Sequence, residues 1–118
     1  MTFREWLIKH QACEEAREWV GDKTVEQAWA ECPRDDWMVW LVDELVYFTE
    51  APGFNARFMP LYSNILSQLR TFWEELRPSW IAASKEAGFS HHSATERLLS
   101  LRAAFVRSIQ PTAPGPEL

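Results

Sequence analysis

From Phe3 onward the apolar residues recur at helical spacing. Phe3, Trp6, Leu7, His10, Cys13, Ala16 and Val20 share one side of a 3.6-residue helix, while Glu5, Lys9, Glu14, Arg17 and Glu18 largely take the others. Thr2 supplies an N-cap and Gly21 a stop, so the pattern predicts one helix over 3–20. Thr24 and Gln27 have capping-box spacing and predict a short helix over 25–31, with Pro33 just beyond it. Asp35 or Asp36 is placed to cap a third helix over 36–48. Its run Trp37-Met38-Val39-Trp40-Leu41-Val42 is apolar on nearly every side, which puts it at the centre of the molecule.

Ala51-Pro52-Gly53 marks a break. Phe58, Leu61, Tyr62, Ile65, Leu69, Phe72, Trp73 and Leu76 then form the stripe of a helix over 55–76, with Pro60 in its first turn and Pro78 as its stop. A short helix over 79–87 closes at Gly88. Ser93-Ala94-Thr95-Glu96 is a second capping box, opening a last helix to residue 109 with Ala94, Leu98, Leu101, Phe105 and Ile109 inward. No segment alternates like an exposed strand. The expectation is an all-α, single-domain bundle of five or six helices over 1–110. The proline-rich residues 111–118 form a disordered, flexible tail.

Composition narrows the class. The chain has 118 residues, 47% hydrophobic and 25% charged, enough for a core. No apolar run approaches the roughly 18 residues of a membrane span, so no membrane partner is expected. The start Met1-Thr2-Phe3-Arg4-Glu5-Trp6 is too charged for a signal peptide. Cys13 and Cys32 read as reduced thiols, and the protein as cytoplasmic. Net charge is −5, and residues 1–59 carry 12 Asp/Glu against 6 Lys/Arg. An acidic N-terminal half disfavours nucleic acid and suits a basic protein surface.

Candidate chemistry is sparse. His10 and Cys13 lie three apart on one helical face. With Cys32, His91 and His92 they could supply zinc ligands or a thiol–imidazole pair, although the spacing matches no zinc-finger pattern. A core histidine with its ring N–H satisfied is the plainer reading. Asp35-Asp36 and Asp43-Glu44 are adjacent pairs that point apart on a helix. Arg97, Arg102 and Arg107 drift around the last helix instead of forming a stripe. There is no phosphate loop and no hydrolase elbow. No catalytic residue, metal or cofactor is expected. Seven tryptophans in so short a chain are in excess; most read as core, while Trp19, off the main stripe, and Trp80, after a Pro-Ser break, are candidates for partner contact.

One stretch is more specific. Cys13-Glu14-Glu15-Ala16-Arg17-Glu18-Trp19 is followed by Ala28-Trp29-Ala30-Glu31-Cys32-Pro33-Arg34-Asp35-Asp36-Trp37-Met38-Val39-Trp40-Leu41. This resembles a pattern in small all-helical proteins of bacteria and their phages, some described as predicted immunity proteins of polymorphic toxin systems. The resemblance covers about residues 10–45, with no match over 55–118. It implies a non-catalytic inhibitor that blocks a protein partner, either a toxin or, for a phage-borne gene, a host defence complex, as anti-CRISPR proteins do. Glu14, Glu18, Trp19, Asp22 and Trp80 are then the candidate contact residues. Arg34 and Asp36 read as a buried ion pair or cap tying the turn between two helices. The alternatives are a metal- or thiol-dependent activity at His10, Cys13, Cys32, His91 and His92, and a structural or regulatory homodimer.

Overall fold

Six helices make up the computed structural model, which describes residues 1–47, 57–88, 91–116 and 118, with the backbone alone at 87 and 91–93. They are α1 (Phe3–Lys9), α2 (Glu14–Val20), α3 (Val25–Glu31), α4 (Asp35–Tyr47), α5 (Met59–Ala87) and α6 (His91–Ile109). No strand occurs among the described residues, so the chain is all-α as its periodicity predicts. No helix among them is long and apolar enough to cross a membrane. The predicted break at Ala51-Pro52-Gly53, the end of the third helix at Phe48 and the start of the next at Asn55 lie outside the described residues.

The predicted helix over 3–20 is two helices. Thr2 Oγ1 accepts from the Glu5 N–H at 3.1 Å and starts α1. At its other end Gln11 adopts φ 59°, the left-handed region that favours glycine. The Gln11 N–H donates to Ile8 O at 3.1 Å and the Ala12 N–H to Leu7 O at 3.0 Å. These are the paired bonds of a Schellman stop. Leu7 and Ala12, the two positions that meet across such a stop, are both buried. The sequence hid this end because glutamine stands where glycine usually does. Gly21 (φ 50°) closes α2 as expected. The Thr24–Gln27 capping box forms in full, with Thr24 Oγ1 accepting from the Gln27 N–H at 3.1 Å and Gln27 Oε1 from the Thr24 N–H at 2.9 Å.

Pro78 does not end a helix. α5 runs through it to Gly88, so 55–76 and 79–87 are not separate elements. A proline inside a helix removes one backbone bond and crowds the carbonyl four residues back. Pro78 and Glu74 are both exposed, so water can meet the freed carbonyl. The last helix starts at His91, two residues before the expected cap at Ser93.

α4 lies centrally, in contact with both α5 and α6. Val42 and Val46 of α4, Ile65 of α5 and Val106 of α6 are fully buried. Phe72 and Phe105 stack at 4.3 Å between α5 and α6. Beyond Ile109 no helix continues; Ala113 packs against the core and Pro114 is buried.

α6 also fastens the turn between α3 and α4. Arg107 Nη1 donates to Cys32 O at 2.7 Å and to Trp29 O at 3.4 Å, satisfying carbonyls that the end of α3 leaves open. Arg102 Nε donates to Asp35 Oδ2 at 2.9 Å. Ser100 Oγ donates to Pro33 O at 3.4 Å, and Trp29 Nε1 to Gln110 O at 2.8 Å.

The break at Gln11 yields a direct test. In a continuous helix a valine at this position would be tolerated better than a glycine. At a left-handed stop the order reverses, because a β-branched residue at positive φ costs about 1–2 kcal/mol. Gln11→Gly is therefore expected to be more stable than Gln11→Val by roughly 1 kcal/mol or more in urea unfolding. The opposite order would mean that α1 and α2 are one helix.

Candidate functional site

Small residues leave room where α1, α2 and α3 meet the first half of α4. Ala12, Ala16 and Ala28 stand there beside large neighbours, and a cavity of about 460 Å³ opens between them. Phe3 and Leu7 of α1, Val20 of α2, Val25 of α3 and Met38 and Leu41 of α4 supply an aliphatic and aromatic lining. The indoles of Trp19, Trp29, Trp37 and Trp40 complete it. The polar lining is limited to Gln11, Cys13, Arg34 and Asp36, with the buried Cys32 thiol. Every residue that defines the tryptophan-rich string, from Cys13 and Trp19 through Ala28, Trp29, Cys32, Arg34, Asp36, Trp37 and Trp40 to Leu41, lines this cavity.

The mouth is set by charges stacked on indoles. Arg34 Nη2 lies 2.7 Å from Asp36 Oδ2 and its Nε donates to Asp36 Oδ1 at 3.1 Å, a two-point pair. Arg34 Nη1 is 3.3 Å from Glu15 Oε2. The hydrogen bonds that Arg34 donates to the Asp36 carboxylate are the main reason its guanidinium holds its proton above the usual arginine range. The guanidinium also lies 4.6 Å from the centre of the Trp37 ring. Trp37 packs on Trp19 at 5.8 Å, and Lys23 Nζ lies 4.8 Å over Trp19. The Arg34–Asp36 pair therefore forms as expected but is not buried, with side chains 30% and 49% exposed. The buried pair at this turn is Arg102–Asp35.

The other sequence candidates scatter. His10 lies at the end of α1, stacked on Trp6 at 4.0 Å, and its Nδ1 donates to Glu44 Oε2 at 2.9 Å. It is a satisfied histidine of the half-buried interior. Cys13 is exposed at the start of α2 and Cys32 is buried, its thiol donating to Arg34 O at 3.2 Å. Burial is the main cause that pushes the Cys32 pKa up. His91 and His92 open α6, and their side chains lie outside the described residues. No group of three or more His, Cys, Asp or Glu residues able to hold a metal gathers among the described residues. The adjacent carboxylates diverge as expected. Asp35 meets Arg102, Asp36 meets Arg34, and Glu44 meets His10, while Asp43 bonds Tyr62, whose pKa burial and that bond both raise.

Glu14, Glu18 and Asp22 are exposed on α2 and the turn after it, and the half-buried Trp19 of the same helix lines the cavity. Trp80 is half-buried on the distal part of α5, outside the core cluster and the cavity lining. Spacing does not reveal the places of Trp37 and Gln11 in this lining, because a helical stripe does not tell a packed indole from one at the edge of a void. Comparison with family models, with curated proteins and with solved structures returns no match to this chain.

The two thiols should differ sharply. Iodoacetamide is expected to modify Cys13 in the native protein at least about 100-fold faster than Cys32, which reacts on unfolding. Because the Cys32 pKa is raised in the fold, the unfolded chain loses this proton first as pH rises. Stability should therefore decline above about pH 8.5, and less steeply in Cys32→Ala, in urea titrations at several pH values. Equal labelling of both thiols, or a pH slope unaltered by the substitution, would contradict the burial of Cys32.

Proposed function

We propose that this chain is a non-catalytic binding protein that docks on a basic partner protein and blocks it, as an immunity-like inhibitor does. The observation that carries this reading is the adjacency of an indole-lined opening and an acidic helix face. Trp19 and Trp37 edge the cavity, and Glu14, Glu15, Glu18 and Asp22 are exposed on the helix and turn that bring Trp19 there. Aromatic residues in a partly open apolar recess provide binding energy, and the exposed acidic face of α2 beside it provides steering and partner choice. A toxin nuclease with a cationic substrate channel, or a nucleic-acid-handling defence complex, offers the complementary surface. The partner is met in the cytoplasm, and the chain contributes surface instead of chemistry.

The test begins with capture of the tagged full chain from lysate of its native host and identification of a stoichiometric partner. The triple variant Glu14→Lys, Glu18→Lys, Asp22→Lys is then expected to weaken that complex by about tenfold or more at low salt, mainly through slower association. Unchanged affinity at low ionic strength would remove this face from the interface. A chain that sediments as a dimer with α2 buried between its copies would replace the reading with self-assembly.

A further inference from the structure

We infer that the cavity seats an apolar side chain of a partner segment carrying a lysine or arginine next to that anchor. This deepens the binding-protein reading and rests on it.

The walls select the anchor. At about 460 Å³ the cavity is within the usual size range of ligand pockets. The Trp29 N–H is already spent on Gln110 O, so that indole presents hydrocarbon to the space. The Cys32 thiol is likewise committed to Arg34 O. A sugar or nucleotide entering here would lose hydrogen bonds to water and regain few, which disfavours polar ligands. A leucine or aromatic side chain loses nothing of that kind and gains contact with indole faces.

The mouth selects the flank. Its guanidinium, Arg34, is held by two carboxylates, Asp36 and Glu15, so an anionic head group would have to break an existing pair to be received. Arg34 and Lys23 at the mouth balance Asp36 and Glu15, and Glu14 and Glu18 on the same helix as Glu15 make the surroundings negative. Both rim indoles already carry a cation, Lys23 on Trp19 and Arg34 on Trp37, the same kind of contact that an incoming lysine or arginine would make. Charge complementarity thus favours a cationic residue beside the buried anchor and disfavours a fatty acid, the other apolar occupant of suitable size.

The test uses defined probes on the full chain. N-acetyl-Lys-Leu-Lys amide, Lys-Ala-Lys amide, Glu-Leu-Glu amide and dodecanoate are titrated at low salt while the indole N–H resonances are followed by NMR. The Lys-Leu-Lys probe is expected to move the Trp19 and Trp37 signals with affinity at least about fivefold above the alanine and glutamate probes. Ala16→Met, which fills the space, is expected to abolish those shifts while thermal unfolding stays cooperative. Should that variant fail to fold, Glu15→Gln with Asp36→Asn on the surface is expected to weaken the lysine probe at least about threefold and the glutamate probe not at all. No movement of these indoles, equal binding of the glutamate probe, or tighter binding of dodecanoate would overturn the inference. If the probes fail while the charge-reversed α2 variant still loses its partner, the cavity reading falls and the binding reading stands. If the probes bind as stated while α2 reversal changes nothing, the cavity reading stands and the α2 face leaves the interface.

Discussion

The carboxylate of Asp35 sits at the start of α4 with its side chain 5% exposed, one oxygen paired across the fold and the other, Oδ1, buried without a hydrogen-bond partner. Arg102 reaches it from α6, sixty-seven residues away in sequence. Removing one partner of a buried pair leaves an uncompensated charge and typically costs roughly 3–5 kcal/mol, less where the arginine is partly solvated as here. Arg107 adds two bonds to the carbonyls that α3 leaves open, and the Gln110 carbonyl takes the Trp29 indole N–H. The α3–α4 turn is therefore fixed by the last helix, and with it the direction in which Arg34, Asp36 and Trp37 leave the turn.

What this bracing holds open is as informative as what it packs. In a small domain the gain from filling the space between α2 and α3 would be considerable, since each buried methylene contributes about 0.8 kcal/mol. The chain places alanines at 12, 16 and 28 there and surrounds them with indoles. Large rigid rings beside small residues make a void with firm walls, because the rings have few rotamers with which to collapse inward. Their outer edges meet the acidic α2. An apolar recess beside a charged face supports the proposed binding role, and four of the seven tryptophans line that recess while packing in or against the core.

Much of the fold was legible where local chemistry dominates. The Thr24–Gln27 box, Gly21 and the all-round apolar run of α4 each act within a few residues, and each reads correctly. The stop at Gln11 was not legible, because its backbone bonds are those of a glycine stop with a glutamine in place. Continuity through Pro78 was hidden too, since it depends on that turn of α5 facing water. At the site, the string from Cys13 to Leu41 identified the right residues but not their arrangement. Spacing alone puts Trp37 and Trp40 in a core, and only the meeting of four helices shows the indoles around a space. Arg102 and Arg107 look scattered on α6 because five residues do not return to one face, yet long side chains bring both to one turn.

In the proposed complex the partner enters at the edge formed by Trp19 and Trp37. Hydroxyl-radical footprinting of the chain, free and in its complex, reads this directly, since an indole that becomes covered loses its reactivity. Strong protection of Trp19 and Trp37 is expected on complex formation, with Trp80 on α5 unchanged. Protection confined to Trp80 and the distal part of α5, with Trp19 and Trp37 as reactive as in the free chain, would contradict it.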